Sequence, residues 1–314
     1  MTNRNRLFVP LALATALFTL GLIVFGAVVR VTDSGLGCGN SWPLCNGTIF
    51  PPLDNLTAWI EWMHRLFAAL IGVLGIITLI VAIVGYRKRN RAVLWYTVAA
   101  AFLFFLQSML GALVVVMDLP PTFVTLHLGT AMLLLGSLVT AAVLAQYRPV
   151  GGQRRDSVSW MAYIATVLSF VIILTGALVR GSGATLACTD WPLCNGAALP
   201  TDQGQLAMVH MFHRFAVLAL GVVLLILVWY ALRQRTQRVA RQLAVLALVL
   251  YLAQAAVGAL VVLTAATPLW AALHVGFAAG TWATLVALSV IETLNSRELT
   301  EKAEWQPQSD PVQA

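Results

Sequence analysis

The chain has 314 residues, of which 60% are hydrophobic and only 10% are charged, and its mean hydropathy is +0.86. A soluble domain carries about 25% charged residues, so this composition excludes a soluble globular protein. The net charge of +7 could suggest a nucleic-acid-binding protein. However, the basic residues lie in short segments between apolar runs, which indicates membrane topology and contact with anionic lipid rather than nucleic acid.

Eight apolar segments follow one another along the chain, and they predict an all-α polytopic membrane protein. Each has about 20 residues or a little more, enough for a helix to cross a hydrocarbon core of about 30 Å. The runs are continuous rather than alternating, which favours helices over the strands of a barrel. The predicted spans are residues 7–29, 59–85, 92–116, 122–145, 158–179, 208–231, 240–264 and 271–292.

The two ends of the chain carry further expectations. The run 7–29 is too long for the apolar part of a typical signal peptide, so it is predicted to be an uncleaved first span. No stretch with the composition of an organellar transit peptide precedes it, which favours a bacterial protein. The polar segment 295–314 is predicted to be a disordered cytoplasmic tail.

Lysine and arginine are distributed unevenly between the two ends of the predicted spans. Most of them lie at the end that carries both chain termini: Arg4, Arg6, Arg87, Lys88, Arg89, Arg91, Arg148, Arg154, Arg155, Arg233, Arg235, Arg238, Arg241, Arg297 and Lys302. The opposite end has no lysine and four arginines: Arg30, Arg65, Arg180 and Arg214. Because basic loops stay in the cytoplasm, we predict a plasma-membrane protein with both termini cytoplasmic and the other loops extracytoplasmic.

An internal repeat relates the first four spans to the last four. The matching pairs are Gly26-Ala-Val-Val-Arg30 with Gly176-Ala-Leu-Val-Arg180, Trp42-Pro-Leu-Cys-Asn-Gly47 with Trp191-Pro-Leu-Cys-Asn-Gly196, and His127 with His274. A repeat of four spans inserts both copies in the same direction, so the predicted pseudo-twofold axis lies along the membrane normal. The prediction is two tandem four-helix bundles, residues 1–145 and 158–294, joined by a cytoplasmic linker at 146–157.

Four of the five histidines form two sets at matched depth. His64 and His127 each lie about five residues inside a span that enters from the outer side, and His213 and His274 repeat this pattern. Two imidazoles that face each other across a four-helix bundle can hold a haem iron. A hydrogen bond between helices, or a zinc or copper site, is the alternative, but the pairing favours haem.

A second polar group precedes one histidine of each set by three residues: Glu61 before His64, and His210 before His213. Residues three apart share a helix face, so Glu61 is predicted to point toward the ring held by His64. A carboxylate inside a membrane usually has a function, although a structural ion pair with Arg65 or Arg30 is the alternative.

The four arginines at the outer end have one further predicted use. Their forked donors are suited to haem propionates, and the candidates are Arg30, Arg65, Arg180 and Arg214.

All four cysteines lie in the two long loops at the outer end, with Cys38 and Cys45 in the first and Cys188 and Cys194 in the second. In an oxidising compartment, one disulfide within each loop is the first interpretation. A zinc site shared by the loops and a redox role for the first pair are alternatives. No Cys-x-x-Cys-His motif occurs, so covalent haem attachment is not indicated.

Taken together, the repeat, the four histidines, the Glu-x-x-His-Arg element and the loop cysteines resemble the haem A synthase family, in its bacterial type with a cysteine pair in both outer loops. The resemblance covers residues 7–292. It implies oxidation of the C8 methyl group of haem O to a formyl group, through a hydroxymethyl intermediate, for cytochrome oxidases.

The resemblance also implies specific roles for residues. The first bundle would hold haem O as substrate, with His64 and His127 as axial ligands, and Glu61 would be catalytic. The second would hold haem b, with His213 and His274 as its iron ligands. The resemblance also implies the disulfides Cys38–Cys45 and Cys188–Cys194. A histidine at position 210 is consistent with a second half that is not catalytic.

Chemical reasoning leaves two mechanisms open. In the first, electrons leave the bound porphyrin stepwise, water attacks the methyl carbon, Glu61 accepts the proton, and the second haem relays electrons. In the second, O₂ is activated at an iron that has lost one histidine. Labelling with H₂¹⁸O or with ¹⁸O₂ would distinguish the two mechanisms, because a formyl oxygen derived from O₂ would contradict the first.

A competing function is a dihaem b membrane cytochrome that exchanges electrons with quinone, and a repeat-based transporter is disfavoured because midplane charges are absent. The expected partners are the lipid bilayer and a haem O synthase that delivers the substrate. The sequence does not identify the electron acceptor, and a homo-oligomer is left open.

Overall fold

A computed structural model describes residues 3–149 and 155–304 of the chain, with side chains described for 7–149 and 155–296. The described part contains eight long α-helices and one short 3₁₀ turn at Ala184–Leu186. The helices are α1 Asn3–Val31, α2 Leu56–Tyr86, α3 Arg91–Val116, α4 Pro121–Gln146, α5 Ser157–Gly181, α6 Gln205–Gln234, α7 Arg238–Leu263 and α8 Pro268–Glu304. All eight are long and apolar enough to cross a membrane, so the chain is an all-α polytopic membrane protein.

Several helix starts are set by the local sequence. The side chains of Asn55, Asn90 and Asp156 each accept hydrogen bonds from backbone amides in the first turn of α2, α3 and α5. α4 and α8 begin at Pro121 and Pro268, where a missing N–H costs nothing because the first amides of a helix have no partner. These signals explain why most predicted boundaries fall close to the observed ones.

The helices pack in two rings of four that share a broad contact. α1 to α4 contact one another in sequence, with α4 returning to α1, and α5 to α8 do the same. The two rings meet where α4 and α8 contact each other, with α1 against α8 and α4 against α5. Trp282 of α8 fixes this contact by donating its indole N–H to the carbonyl of Met132 in α4 at 2.9 Å. The predicted pseudo-twofold axis and domain boundaries remain predictions.

The end of α8 corrects one expectation. The prediction that a disordered tail begins at residue 295 is wrong at that position, because α8 continues to Glu304 and Asn295 is fully buried. The Asn295 amide donates to Gln237 Oε1 at 2.9 Å, and the hydroxyl of Tyr147 donates to Asn295 Oδ1 at 3.1 Å. These partners on other segments keep the polar side chain inside the fold. Residues 305–314 lie outside the described part.

Other expectations also fall partly outside the described residues. Positions 150–154 of the predicted linker are not described. Among the basic residues used to predict orientation, those without described side chains are Arg4, Arg6, Arg154, Arg297 and Lys302.

Candidate functional site

Four histidines lie at matched depths in four different helices. His64 is the ninth residue of α2 and His213 the ninth of α6. His127 is the seventh residue of α4 and His274 the seventh of α8. At 1.5 Å per residue, all four lie roughly 9 to 12 Å from the start of their helices. His64 and His127 belong to the first ring of helices, and His213 and His274 belong to the second, so each ring contains one pair.

A glycine on the preceding helix packs against each of these imidazoles. A Cβ atom built on the glycine would lie about 3 Å from the imidazole Cε1 in every case, closer than ordinary van der Waals contact. The pairs are Gly26 with His64 (3.2 Å), Gly111 with His127 (3.1 Å), Gly176 with His213 (3.2 Å) and Gly258 with His274 (2.9 Å). Each glycine is followed by alanine, and the sequence analysis noted the repeat of Gly26 and Gly176 without assigning it a role. The glycines leave room for the rings to approach the helix backbone.

The residues present fit haem iron better than a bare metal ion. Within the described residues, no group of three or more His, Cys, Asp and Glu side chains could hold a metal ion. This disfavours the zinc and copper alternatives, which need more protein ligands. A haem iron takes four ligands from its porphyrin and needs only two imidazoles, which is what each pair supplies.

The two pairs differ in what holds the second ring nitrogen, Nδ1. His213 Nδ1 lies 3.0 Å from Thr175 Oγ1, and His274 Nδ1 lies 3.1 Å from the backbone oxygen of Gln254. The Nδ1 atoms of His64 and His127 are buried and have no hydrogen-bond partner in the described structure. His213 and His274 are therefore held in orientation through Nδ1, whereas His64 has no such partner.

Glu61 is buried beside the first pair, with 3% of its surface exposed. It shares a face of α2 with His64, three residues later. One carboxylate oxygen accepts from the backbone N–H of Cys38 at 2.9 Å, and the other pairs with Arg65 Nη2. The ion pair that the sequence left as an alternative is therefore present. It connects Glu61 to Arg65, which also binds the first cysteine loop.

His210 occupies the corresponding place in the second ring of helices. It is buried, with 6% exposure, and its Nε2 lies 3.4 Å from Arg214 Nη2. Its Nδ1 is enclosed without a hydrogen-bond partner. The arginine one turn later is thus kept in both rings, while the group facing it changes from a carboxylate to an imidazole.

Arg65 and Arg214 also bind the cysteine loops, a role that the sequence analysis missed. Arg65 Nη1 donates to the carbonyls of Ser41 and Leu44, both at 3.1 Å. Arg214 Nη1 donates to the carbonyl of Pro192 at 3.2 Å. The available signal was that His-Arg follows Trp-Pro-Leu by about 20 residues in both halves, but the loop conformation that joins them cannot be read from spacing.

Arg30 and Arg180 lie together where the two rings meet. Arg180 Nη2 is 3.5 Å from the backbone oxygen of Arg30 and 3.7 Å from Asp33 Oδ1. The Nε atom of Arg30 is buried and has no hydrogen-bond partner among the described residues. Of the four arginines predicted to contact propionates, these two keep more donors available than Arg65 and Arg214.

Both cysteine loops are closed by disulfides, Cys38–Cys45 and Cys188–Cys194, and all four cysteines are fully buried. No free cysteine occurs in the described part of the chain, which removes the thiolates that a shared zinc site would need. Cys38, whose backbone N–H donates to Glu61, and its disulfide partner Cys45 pack against the start of α2.

The comparison with protein families decides where the chain belongs. The model of the COX15-CtaA family, described as cytochrome oxidase assembly protein, matches residues 10–286. The chain belongs to the COX15-CtaA family. The range matched by the COX15-CtaA model includes the four paired histidines, Glu61 and both disulfide loops.

Similar curated proteins carry one name. The heme A synthase of Shouchella clausii is 35% identical over 265 residues, covering 81% of this chain and 86% of that protein. The heme A synthase of Symbiobacterium thermophilum is 34% identical over 297 residues, covering 91% and 96%. The heme A synthase of Bacillus mycoides is 33% identical over 300 residues, covering 92% and 95%. The similarity to these three proteins therefore extends over most of the chain.

Proposed function

We propose that the protein is a haem A synthase, which oxidises the C8 methyl group of haem O to a formyl group through a hydroxymethyl intermediate. The observation that carries the proposal is the presence of two histidine pairs at matched depth, with a buried carboxylate beside only one of them. Membership of the COX15-CtaA family and the similarity to heme A synthases support it. The product would supply haem A to cytochrome oxidases.

The two histidine pairs would hold different haems. His64 and His127 would be the axial ligands of the substrate, haem O, and His213 and His274 would hold a haem b cofactor. The buried carboxylate beside the first pair and the hydrogen-bonded imidazoles of the second support this division. A bound haem b would supply electron transfer, and Arg30 and Arg180 are the favoured contacts for propionates.

Glu61 would act as the general base. Its carboxylate would accept a proton from the reacting carbon or from an attacking water, and the ion pair with Arg65 holds the carboxylate in place. The N–H of Cys38 holds the second oxygen, so the carboxylate keeps one orientation. His210 lacks this negative charge, which agrees with a second site that retains its haem unchanged.

The orientation in the membrane is also a proposal. The cysteine loops would be extracytoplasmic and both termini cytoplasmic, in a bacterial plasma membrane. The excess of Lys and Arg at the other end and the two disulfides, which persist in oxidising compartments, support this orientation. Haem O would arrive from a haem O synthase through the bilayer, and the two bundles 1–145 and 158–294 would be the two haem-binding units.

Extraction of pigment tests the proposed function. The chain is purified from a host that makes haem O, and its haems are extracted into acidified acetone and separated by chromatography. We expect haem O or haem A together with haem B. Two molecules of haem B per chain, with neither haem O nor haem A, would contradict the synthase and support a membrane cytochrome that exchanges electrons with quinone.

Matched ligand substitutions assign the two sites in the same experiment. His64→Ala should remove haem O and haem A while haem B stays bound, and His213→Ala should do the reverse. Loss of the same haem from both variants would contradict the division of the sites.

A further inference from the structure

The first and second histidine sites share one local geometry, which makes a residue-by-residue comparison meaningful. A Cβ on Gly26 would lie 3.2 Å from Cε1 of His64, and a Cβ on Gly176 would lie 3.2 Å from Cε1 of His213. In both cases the glycine belongs to the first helix of its ring and the histidine to the second. The residue before the glycine is Thr175 in one site and Phe25 in the other.

The hydroxyl of Thr175 connects His213, on α6, to the backbone of α5. Its hydroxyl oxygen lies 2.9 Å from the carbonyl oxygen of Ile172 and 3.0 Å from His213 Nδ1. A threonine hydroxyl has one hydrogen and two lone pairs. When the hydroxyl donates its hydrogen to the Ile172 carbonyl, a lone pair of its oxygen accepts a hydrogen bond from the Nδ1–H of His213. This assignment leaves the lone pair of Nε2 free to bind iron.

Phe25 offers His64 no such partner. Its ring centroid lies 6.1 Å from the imidazole centroid and 5.7 Å from the ring of Phe67. The Nδ1 atom of His64 is buried without a hydrogen bond. An apolar ring packs against the imidazole but cannot select which nitrogen carries the proton.

The other histidine of each pair lies beside a backbone group of the preceding helix in both sites. His274 Nδ1 lies 3.1 Å from the backbone oxygen of Gln254, and a hydrogen bond there again leaves Nε2 available. His127 interacts with the backbone of Gln107, which is also 20 residues earlier in the chain, so this contact is similar in the two sites. The difference between the sites therefore lies at the histidine of the second helix, where His213 has Thr175 as a partner and His64 has none.

We propose that Thr175 is a positioning residue that makes the His213 site a permanent haem site, and that Phe25 at the matching place keeps the His64 site exchangeable. A hydrogen bond to the outer nitrogen of a ligating imidazole fixes the ring and raises its basicity, and losing such a bond typically weakens metal binding by about 10–100-fold. A cofactor site benefits from that affinity. A site that takes in a substrate and releases a product of nearly the same shape does not. The inference rests on the proposed division between substrate and cofactor haem.

Thr175→Val tests the inference, because valine has nearly the same shape and lacks the hydroxyl. In the purified full-length protein, haem B should pass to added apomyoglobin about tenfold faster than in the unsubstituted chain. The midpoint potential of that haem should rise, because a less basic imidazole stabilises ferric iron less. Thr175→Ser keeps the hydroxyl and should restore both values.

Thr166→Val is the matched control. Thr166 lies on the same helix, and its hydroxyl also binds a carbonyl of its own helix (Ala162, 2.8 Å) and a side chain of another helix (Ser289, 2.8 Å). Its loss should change stability without changing the potential or the transfer rate of haem B. Equal values for Thr175→Val and Thr166→Val would overturn the proposal.

A second pair of variants and the choice of measurements keep the test conclusive. If Thr175→Val does not accumulate, Thr175→Ala removes the same hydroxyl and is compared with Thr166→Ala. Neither readout requires haem A to form. A chain with normal haem B retention and no haem A production would therefore contradict the proposed function alone.

Discussion

At the scale of single residues, the contrast between Glu61 and His210 separates two otherwise similar sites. Both side chains are buried one turn before an arginine that binds a cysteine loop. Only Glu61 brings a negative charge, and it alone receives a backbone N–H from the disulfide loop, at Cys38. The arginines hold the loops in both rings, so loop binding does not explain the carboxylate. We propose that the reaction is what requires it.

Glu61→Gln tests this residue. Glutamine has nearly the same shape and can still accept the Cys38 N–H, but it carries no charge and cannot act as a base. We expect both haems to remain bound and turnover to fall by about 10²–10⁴-fold, with haem O or its alcohol accumulating. Chromatography of the extracted haems measures both results.

His210→Gln serves as the control for that substitution. It changes the corresponding buried position beside Arg214 and should leave haem A production close to normal. Normal haem A production by Glu61→Gln would remove the carboxylate from the chemistry.

At the scale of helices, a buried ionic cluster joins three elements at the end of the molecule away from the disulfide loops. Arg235, which caps α6, binds Asp156 at the start of α5 at 2.6 and 2.7 Å, and Glu292 of α8 at 2.5 and 3.0 Å. The matching ends of α1 and α2 instead bring Phe8 against Tyr86, with ring centroids 5.0 Å apart. The same junction is thus apolar in one ring and ionic in the other.

Electrostatics inside this cluster favour the charged forms. Burial lowers the pKa of Arg235, but the hydrogen bonds and charges of Asp156 and Glu292 outweigh burial and raise that pKa above its usual value. Burial raises the pKa of Asp156, but its hydrogen bonds, chiefly those from Arg235, outweigh burial and leave the pKa below the usual 3.8. Because the folded protein lowers this pKa, the contribution of Asp156 to stability is present above about pH 4 and is lost as the pH falls through the lowered value.

Arg235→Met tests the cluster. The substitution leaves Glu292 buried and without its main cation, so we expect a loss of about 3 kcal/mol of stability at pH 7. Thermal unfolding of the detergent-solubilised protein, followed by circular dichroism, measures the change. The difference from the unsubstituted chain should shrink as the pH falls below 4, because Asp156 then loses its charge.

Arg233→Met provides the comparison on the same helix. Arg233 lies over the ring of Trp229, 3.9 Å from the ring centroid, and an exposed contact of this kind contributes about 0.5–1 kcal/mol. An equal loss for both variants, or a difference that stays constant in acid, would show that the cluster does not stabilise the junction.

At the scale of the whole molecule, the two rings pack together, and the two ends of the molecule differ in their basic residues. α4 of the first ring contacts α8 of the second, and the Trp282 indole joins these helices by its hydrogen bond to Met132. Arg180 reaches the end of α1 from the second ring, at the same end as the disulfide loops. The arrangement places both candidate haem sites near the end of the molecule that carries the fewest basic residues.

Labelling of introduced cysteines tests the proposed orientation. Asp54→Cys lies beside the first disulfide loop, and Lys88→Cys lies between α2 and α3 at the opposite end; both positions are exposed. A membrane-impermeant maleimide should label Asp54→Cys in intact spheroplasts and Lys88→Cys only after lysis. The reverse pattern would place the loops and their disulfides in the cytoplasm.

Much of the membrane fold was predictable because it depends on local chemistry. A helix satisfies its backbone hydrogen bonds within its own segment, so an apolar run of sufficient length determines where it lies in the membrane. The positions of His64, His127, His213 and His274 follow from their distance along such runs. The contrast between Glu61 and its counterpart in the repeat could likewise be read directly.

Other features depend on which helices meet, and only the tertiary structure decided them. The carbonyl partners of Arg65, the burial of Asn295 and the ionic cluster at Arg235 all join segments distant in the sequence. The same holds for the hydroxyl of Thr175, whose contact with His213 distinguishes two sites that look alike in the repeat. A polar side chain in a membrane needs a partner, and the sequence shows the need. Which group supplies the partner is set by the packing between helices, which no local pattern encodes.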